Sequence, residues 1–287
     1  MRVAVNGTEL YVDVEGAGLV PDGPRMRQRP VVLVLHGGPG YDHAHLKPLL
    51  GPLAATAQLV YVDHRGQGRS GRPPVATCTL EQYADDAAAV CRTLGLGRPA
   101  VLGQSFGGFV ALHLALRHPE VVGRLVLVDT GATTADLAEA LALLEQRHGP
   151  AARAAAARVL DGDPDPAARA AFRRLVMPAY AHPAAQALWA ATMGLSTFTP
   201  EVSVHFWGRL RREYDVRPRL GEIRAPTLVV VGEHDWLMPP SRARELAAGI
   251  PGAELLVLPD AYHFALGEQP DVFCAAVRRF LTTTPAG

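Results

Sequence analysis

The chain has 287 residues, 48% of them hydrophobic, and its 28 basic and 28 acidic side chains cancel. That length can bury one large α/β core, with or without an insertion, and zero net charge gives no electrostatic footprint for nucleic acid or an anionic membrane surface. Three widely spaced cysteines, Cys78, Cys91 and Cys274, form neither a disulfide framework nor a CxxC metal site. The N-terminal residues lack a long apolar core and a cleavage signature, and no run reaches the length of a membrane span, so a cytoplasmic setting is expected.

In chain order, residues 3–5 and 10–14 flank Asn6-Gly7 and predict a hairpin. Residues 16–30 form a polar connection with Gly and Pro. Residues 31–35 are continuously apolar, as in a strand buried on both faces of a parallel sheet. That run ends in His36-Gly37-Gly38-Pro39-Gly40. A second run, 58–62, ends in Asp63-His64-Arg65-Gly66-Gln67-Gly68-Arg69-Ser70. Thr77 or Thr79 can cap a helix to Leu94, which Gly95 and Gly97 stop. An apolar run over 99–102 turns sharply at Gly103-Gln104-Ser105-Phe106-Gly107-Gly108, and a helical pattern follows over 109–118. Residues 124–128 predict the next strand. From 133 to 220 the texture is Ala-rich and helical, broken at Gly149-Pro150, Asp163-Pro164, His182-Pro183 and Thr199-Pro200. Strands are expected again at 227–231 and 254–258, with helices at 240–250 and 270–281. Alternating strands and helices predict a mostly parallel, doubly wound sheet of about eight strands. The expected organisation is a core from 1–131 and 223–287 and an inserted helical cap at 132–222.

Three polar groups fall just after strands: Ser105, Asp235 and His263. Ligands of such sheets bind at the carboxyl ends of the strands. A serine hydroxyl is a weak nucleophile and needs a base to take its proton. Histidine suits that role, with an ordinary pKa near ~6.5, and an aspartate on its other nitrogen fixes the tautomer. Gly-x-Ser-x-Gly between strand and helix is the context of a nucleophile elbow. Glu233 and His234 compete with Asp235 for the acid role; its place after Gly232 and the following Met238-Pro239 favour Asp235. Asp129, at the end of the strand after the elbow helix, is the next acid. Backbone N–H groups of Gly38 and Phe106 are the expected oxyanion donors, because glycines let the chain expose its amides. His36 reads as a structural hydrogen-bonding residue.

Other motifs read as structure. Gly66-Gln67-Gly68-Arg69-Ser70-Gly71 has GxGxxG spacing, but Arg72-Pro73-Pro74 follows where a dinucleotide site needs a helix. It reads as a structural turn near the site. His43-x-His45 lacks a third ligand at a convincing spacing and reads as a solvated loop, so no metal is expected.

With these residues in hand, residues 36–40 in particular resemble the proline iminopeptidase branch, and the chain at large resembles the α/β-hydrolase superfamily. The likeness rests on 36–40, 63–70, 103–108 and 232–235, and covers essentially the whole chain outside the insert. It implies an α/β-hydrolase fold, Ser105 as nucleophile, His263 as base, Asp235 as acid, and Gly38 with Phe106 as oxyanion donors. Enzymes of that branch release an N-terminal proline or other residue from a short peptide. This chain departs at Gln104 and Phe106, where the branch commonly has Gly and Trp or Tyr. Relatives grip the substrate amine with cap glutamates, and here Glu201 and Glu213 could serve; Trp236 follows Asp235 where some relatives place another. An aminopeptidase leads narrowly over an esterase, lactonase or biosynthetic acyl hydrolase. A lyase, a cyclase or a ligand-binding protein on the same fold is the alternative of another class. No cofactor is expected, and the partner is a small molecule or short peptide. Gly37, Trp207 and Trp236 are further candidates for contacting it. Phe106, Trp189, Phe206, Trp207, Trp236, Met238, Tyr262 and Phe264 could line an apolar pocket or belong to the core.

Overall fold

The computed structural model describes residues 1–283. Ten strands form, β1 Arg2–Val5, β2 Thr8–Glu15, β3 Leu19–Asp22, β4 Arg25–Gln28, β5 Val31–Leu35, β6 Gln58–Val62, β7 Ala100–Gln104, β8 Arg124–Val128, β9 Thr227–Gly232 and β10 Glu254–Leu258. Eight of them make one sheet in the order β1-β2-β6-β5-β7-β8-β9-β10. Within this sheet β1–β2 and β2–β6 pair antiparallel, and each pairing from β6–β5 through β9–β10 is parallel. The continuous apolar runs follow from burial on both faces. Leu33, Leu35 and Val101 point into one core cluster, while Val32, Val34 and Leu102 point into the other.

The helices covering the sheet are α1 Leu80–Thr93 and α2 Phe106–Arg117. Thr79 caps α1 by accepting from the Gln82 amide at 3.2 Å. Helix α2 starts at Phe106, not at 109 as the pattern predicts. Gly107 and Gly108 disguise its first turn, because glycine is a poor helix former. Between β8 and β9 lie α3 Ala138–Leu160, broken at Gly149, and α4 Pro166–Leu175, α5 Gln186–Met193 and α6 Pro200–His205. The two ends of this segment meet, with the Val216 amide 2.9 Å from the Ala132 carbonyl. Helices α7 Pro240–Gly249 and α8 Pro270–Thr282 complete the fold. Among the described residues no helix is long and apolar enough to cross a membrane.

The polar connection expected over 16–30 is instead a second hairpin, β3 paired with β4. It turns at Gly23, whose φ is 60°. Nearly all of its residues face solvent, so no burial pattern marks it in the sequence.

Candidate active site

Ser105 sits between β7 and α2 with φ 52° and ψ −117°, a conformation a side chain adopts only when its surroundings hold it there. Its amide donates to the Val128 carbonyl at 2.8 Å, and its carbonyl accepts from the Gly108 amide and the Thr130 hydroxyl. The glycines around it are required by close approach. A Cβ at Gly103 would lie 2.4 Å from the Gly107 carbonyl oxygen, and one at Gly107 would lie 2.0 Å from the Leu35 carbonyl oxygen. Helix α2 therefore rests directly on β5 and β7.

His263 reaches Ser105 from the loop after β10. Its Nε2 is 3.1 Å from Ser105 Oγ, and its Nδ1 is 2.7 Å from Asp235 Oδ2. The other oxygen of Asp235 accepts from the Leu237 and Met238 amides, both at 2.9 Å. All three groups are buried. Burial pushes the His263 imidazole toward the neutral form. The Asp235 carboxylate and its hydrogen bond outweigh that, leaving the pKa above its ordinary value. Glu233 is exposed and accepts from the Asp260 amide, and its neighbour His234 lies near Asp260. Asp129 is fully buried and accepts from the Gly232 and Ala265 amides at 3.1 and 3.3 Å. Burial first, and the Asp235 charge second, push its carboxyl up to about 8. It braces the strand ends, whereas Asp235 is the carboxylate bonded to the ring.

Loop 37–40 faces Ser105, with Gly38 at φ 142°. Among the described residues neither the Gly38 nor the Phe106 amide donates to a protein acceptor. The loop is held from behind. Gly40 donates to Gln67 Oε1 at 2.6 Å. His36 Nε2 accepts from the His64 amide at 3.2 Å, so its Nδ1 carries the proton and donates to the Gly37 carbonyl at 2.8 Å. The GxGxxG segment wraps the Asp63 carboxylate, which accepts from the Arg69 amide. The next α-helix begins only at Leu80.

His43 and His45 do not sit in a solvated loop. Both are buried; His43 Nδ1 is 2.5 Å from Asp63, and His45 Nδ1 is 3.0 Å from the Ser196 hydroxyl. His43 lies between the Tyr11 and Tyr61 rings, and the segment around Ser196 covers His45, whose burial lowers its pKa to about 3 and keeps it neutral.

A cavity of about 80 Å³ opens onto Ser105 and His263 and is bounded by Gly37, Gly38, Tyr41, Phe172, Tyr180 and Trp189, among others. Of the expected aromatic lining, Trp189 is on this wall. Trp207 is buried at an adjoining cavity. Trp236 is buried behind Tyr180, with ring centroids 5.6 Å apart. Phe106 and Phe206 pack on each other at 5.1 Å, and Phe264 packs under Trp189. Neither Met238 nor Tyr262 reaches this cavity; Met238 is buried and Tyr262 lies against His234. Glu201 and Glu213 are exposed, and neither lines this cavity. Glu213 instead faces Arg209 at 3.8 Å. The lining missed in the sequence, chiefly Tyr41, Phe172, Met177 and Tyr180, includes one residue with a legible cue: Tyr41 directly follows the glycine loop. A larger opening of about 730 Å³, beside Ala138 and Pro164, touches none of these groups.

A doubly wound sheet with a hydroxyl, an imidazole and a carboxylate aligned at its strand ends defines the class: residues 30–270 match the alpha/beta hydrolase fold family, and the chain belongs to it. Its relatives are hydrolases, and this protein is an enzyme of that kind, of esterase, lactonase, carbamate hydrolase or iminopeptidase type. It is 29% identical over 279 residues to the proline iminopeptidase PfmaB of Pestalotiopsis fici, spanning 94% of this chain and 98% of that one. A solved N-acyl homoserine lactone degrading enzyme superposes with a TM-score of 0.73 at 28% identity, over 98% of this chain and all of that one. A thermophilic esterase of Thermogutta terrifontis superposes with a TM-score of 0.72 at 30% identity, over 98% of each chain.

Proposed function

We propose that the protein is a cofactor-independent serine hydrolase acting on small esters, with residues 132–222 as a lid over a core of 1–131 and 223–287. The observation that carries this reading is the single imidazole bridging Ser105 and Asp235 at 3.1 and 2.7 Å. Ser105 Oγ attacks the carbonyl carbon as His263 Nε2 takes its proton. Asp235 holds the ring by Nδ1–H and stabilises the imidazolium. The Gly38 and Phe106 amides receive the developing oxyanion, and one such donor is worth roughly 3 kcal/mol of barrier. The imidazolium protonates the leaving group, an acyl-enzyme remains, and water activated by the same histidine releases the acid.

An ester or lactone fits better than a peptide with a free amine, because no Asp or Glu lines the cavity at Ser105. The aminopeptidase reading keeps the support of the Pestalotiopsis relative, matched along nearly its whole length. Comparing short acyl esters and lactones with prolyl- and alanyl-arylamides separates the two. Ester turnover well above arylamide turnover is expected; the reverse order would install the peptidase.

The raised pKa of His263 sets the pH profile. A protonated ring cannot accept the serine proton, so kcat/KM for a neutral ester rises with pH through the pKa of the free enzyme. Its midpoint lies above the ordinary histidine value of 6.5. A midpoint below that value would show that Asp235 does not hold the imidazolium.

A further inference from the structure

A second cavity of about 80 Å³ adjoins the one at Ser105. The two share Gly38, Tyr41, Phe172, Met177 and Tyr180 as a common wall. Beyond that wall stand Arg169 and Arg173. They and Phe172 are spaced i, i+3 and i+4 on helix α4, which puts all three on one face. Phe172 reaches the nucleophile's cavity, so the same face presents both guanidinium groups to the space next door. Arg169 is half-buried and Arg173 exposed.

Two features separate these arginines from ordinary surface charge. Among the described residues neither is ion-paired, although many other arginines of this chain are, including Arg158, held by Asp163 and Asp165. Asp163 feels the field of Arg169 but is bonded to Arg158 at 2.7 Å. Moreover, no Asp or Glu lines either cavity. The rest of the second wall, with Phe198, Trp207 and Met177, is largely apolar and screens charge poorly. A guanidinium fork on such a wall matches a carboxylate in shape and sign.

We propose that this second cavity is an anion subsite, and that the substrate is an ester carrying a carboxylate at the end remote from its scissile carbonyl. The inference rests on the serine-hydrolase reading and adds the substrate class to it. The scissile carbonyl lies at Ser105, the chain of the substrate passes Tyr41, Phe172 and Tyr180, and its carboxylate meets Arg169 and Arg173.

Hydrolysis of matched ester pairs, followed by pH-stat titration, tests it. Methyl hydrogen adipate against methyl hexanoate places the charge on the acyl half. The acetate ester of γ-hydroxybutyrate against butyl acetate places it on the leaving group. In at least one pair kcat/KM favours the anion by about tenfold or more, as for a charge-assisted hydrogen bond. That ratio falls toward one in the double variant Arg169→Gln/Arg173→Gln and is partly kept in Arg169→Lys/Arg173→Lys. Should the glutamine variant misfold, the wild-type ratio measured at low and high salt gives the answer, because an ionic preference shrinks as salt rises. Equal or better turnover of the neutral ester in both pairs overturns the inference alone, as does a ratio that survives the glutamine variant or added salt. Absence of any ester turnover, together with a Ser105 that a fluorophosphonate does not label, overturns the hydrolase reading and the inference with it.

Discussion

Ser105→Ala lowers kcat on any ester by at least about a thousandfold, since loss of a triad nucleophile removes most of the catalysis beyond binding and the oxyanion donors. Covalent labelling by a fluorophosphonate disappears at the same time. The variant stays folded for a local reason. Among the described residues the Ser105 hydroxyl has His263 as its one side-chain partner, and the backbone bonds at this residue are made by its amide and carbonyl. Alanine tolerates a φ of 52° no worse than serine does. His263 keeps its 2.7 Å bond to Asp235, so the site loses one atom and no scaffold. A folded Ser105→Ala protein that still turns over esters, or still takes up the label, would sink the assignment of Ser105.

The second large effect is on stability. At Gly107 a Cβ would lie 2.0 Å from the Leu35 carbonyl oxygen, 2.5 Å from its carbon and 2.8 Å from the His36 carbonyl oxygen. All three are backbone atoms, so no side chain can swing aside. Gly107→Ala forces α2 away from β5 and costs about 3 kcal/mol or more, at the upper end of overpacking effects. Thermal unfolding then falls by about 5–10 °C for a chain of this size. The displaced strand end leads directly into loop 37–40, so any protein that still folds is also expected to lose rate if Gly38 donates to the oxyanion as proposed. Gly221→Ala is the matched control, because nothing lies within 4 Å of its added Cβ. Equal melting temperatures for the two variants would refute this steric account.

The sheet was legible because its central strands are buried on both faces, which writes apolar runs such as 31–35 and 125–128 into the chain. The placement of Ser105, Asp235 and His263 was legible for a related reason: each lies in the turn or loop that follows one strand. Gly107 and Gly108 hid the first turn of α2, since close packing demanded residues that local propensity argues against. The pocket wall was much less legible. Phe172, Met177 and Tyr180 are apolar residues among alanines, and that pattern serves a helix packing on its neighbours as well as one facing a substrate. His43 and His45 look solvated in the sequence, and only tertiary packing buries them, His43 against Tyr11 and Tyr61 and His45 under the segment around Ser196. Glu201 and Glu213 show the converse: carboxylates suited to gripping an amine, placed on a surface that meets water.

The site brings together residues far apart in the chain. Ser105 and His263 are 158 positions apart. Strand β9 must also find β8 across the whole helical segment, pairing Thr227 with Leu125. Closing so long a loop is paid in chain entropy before any contact rewards it, which makes such pairings slow. Asp235 and His263 both come after that closure. On the proposed triad, a chain that holds only β5 to β8 and the elbow lacks both its acid and its base. On the triad proposed above, activity requires the last two strands, because Asp235 follows β9 and His263 follows β10.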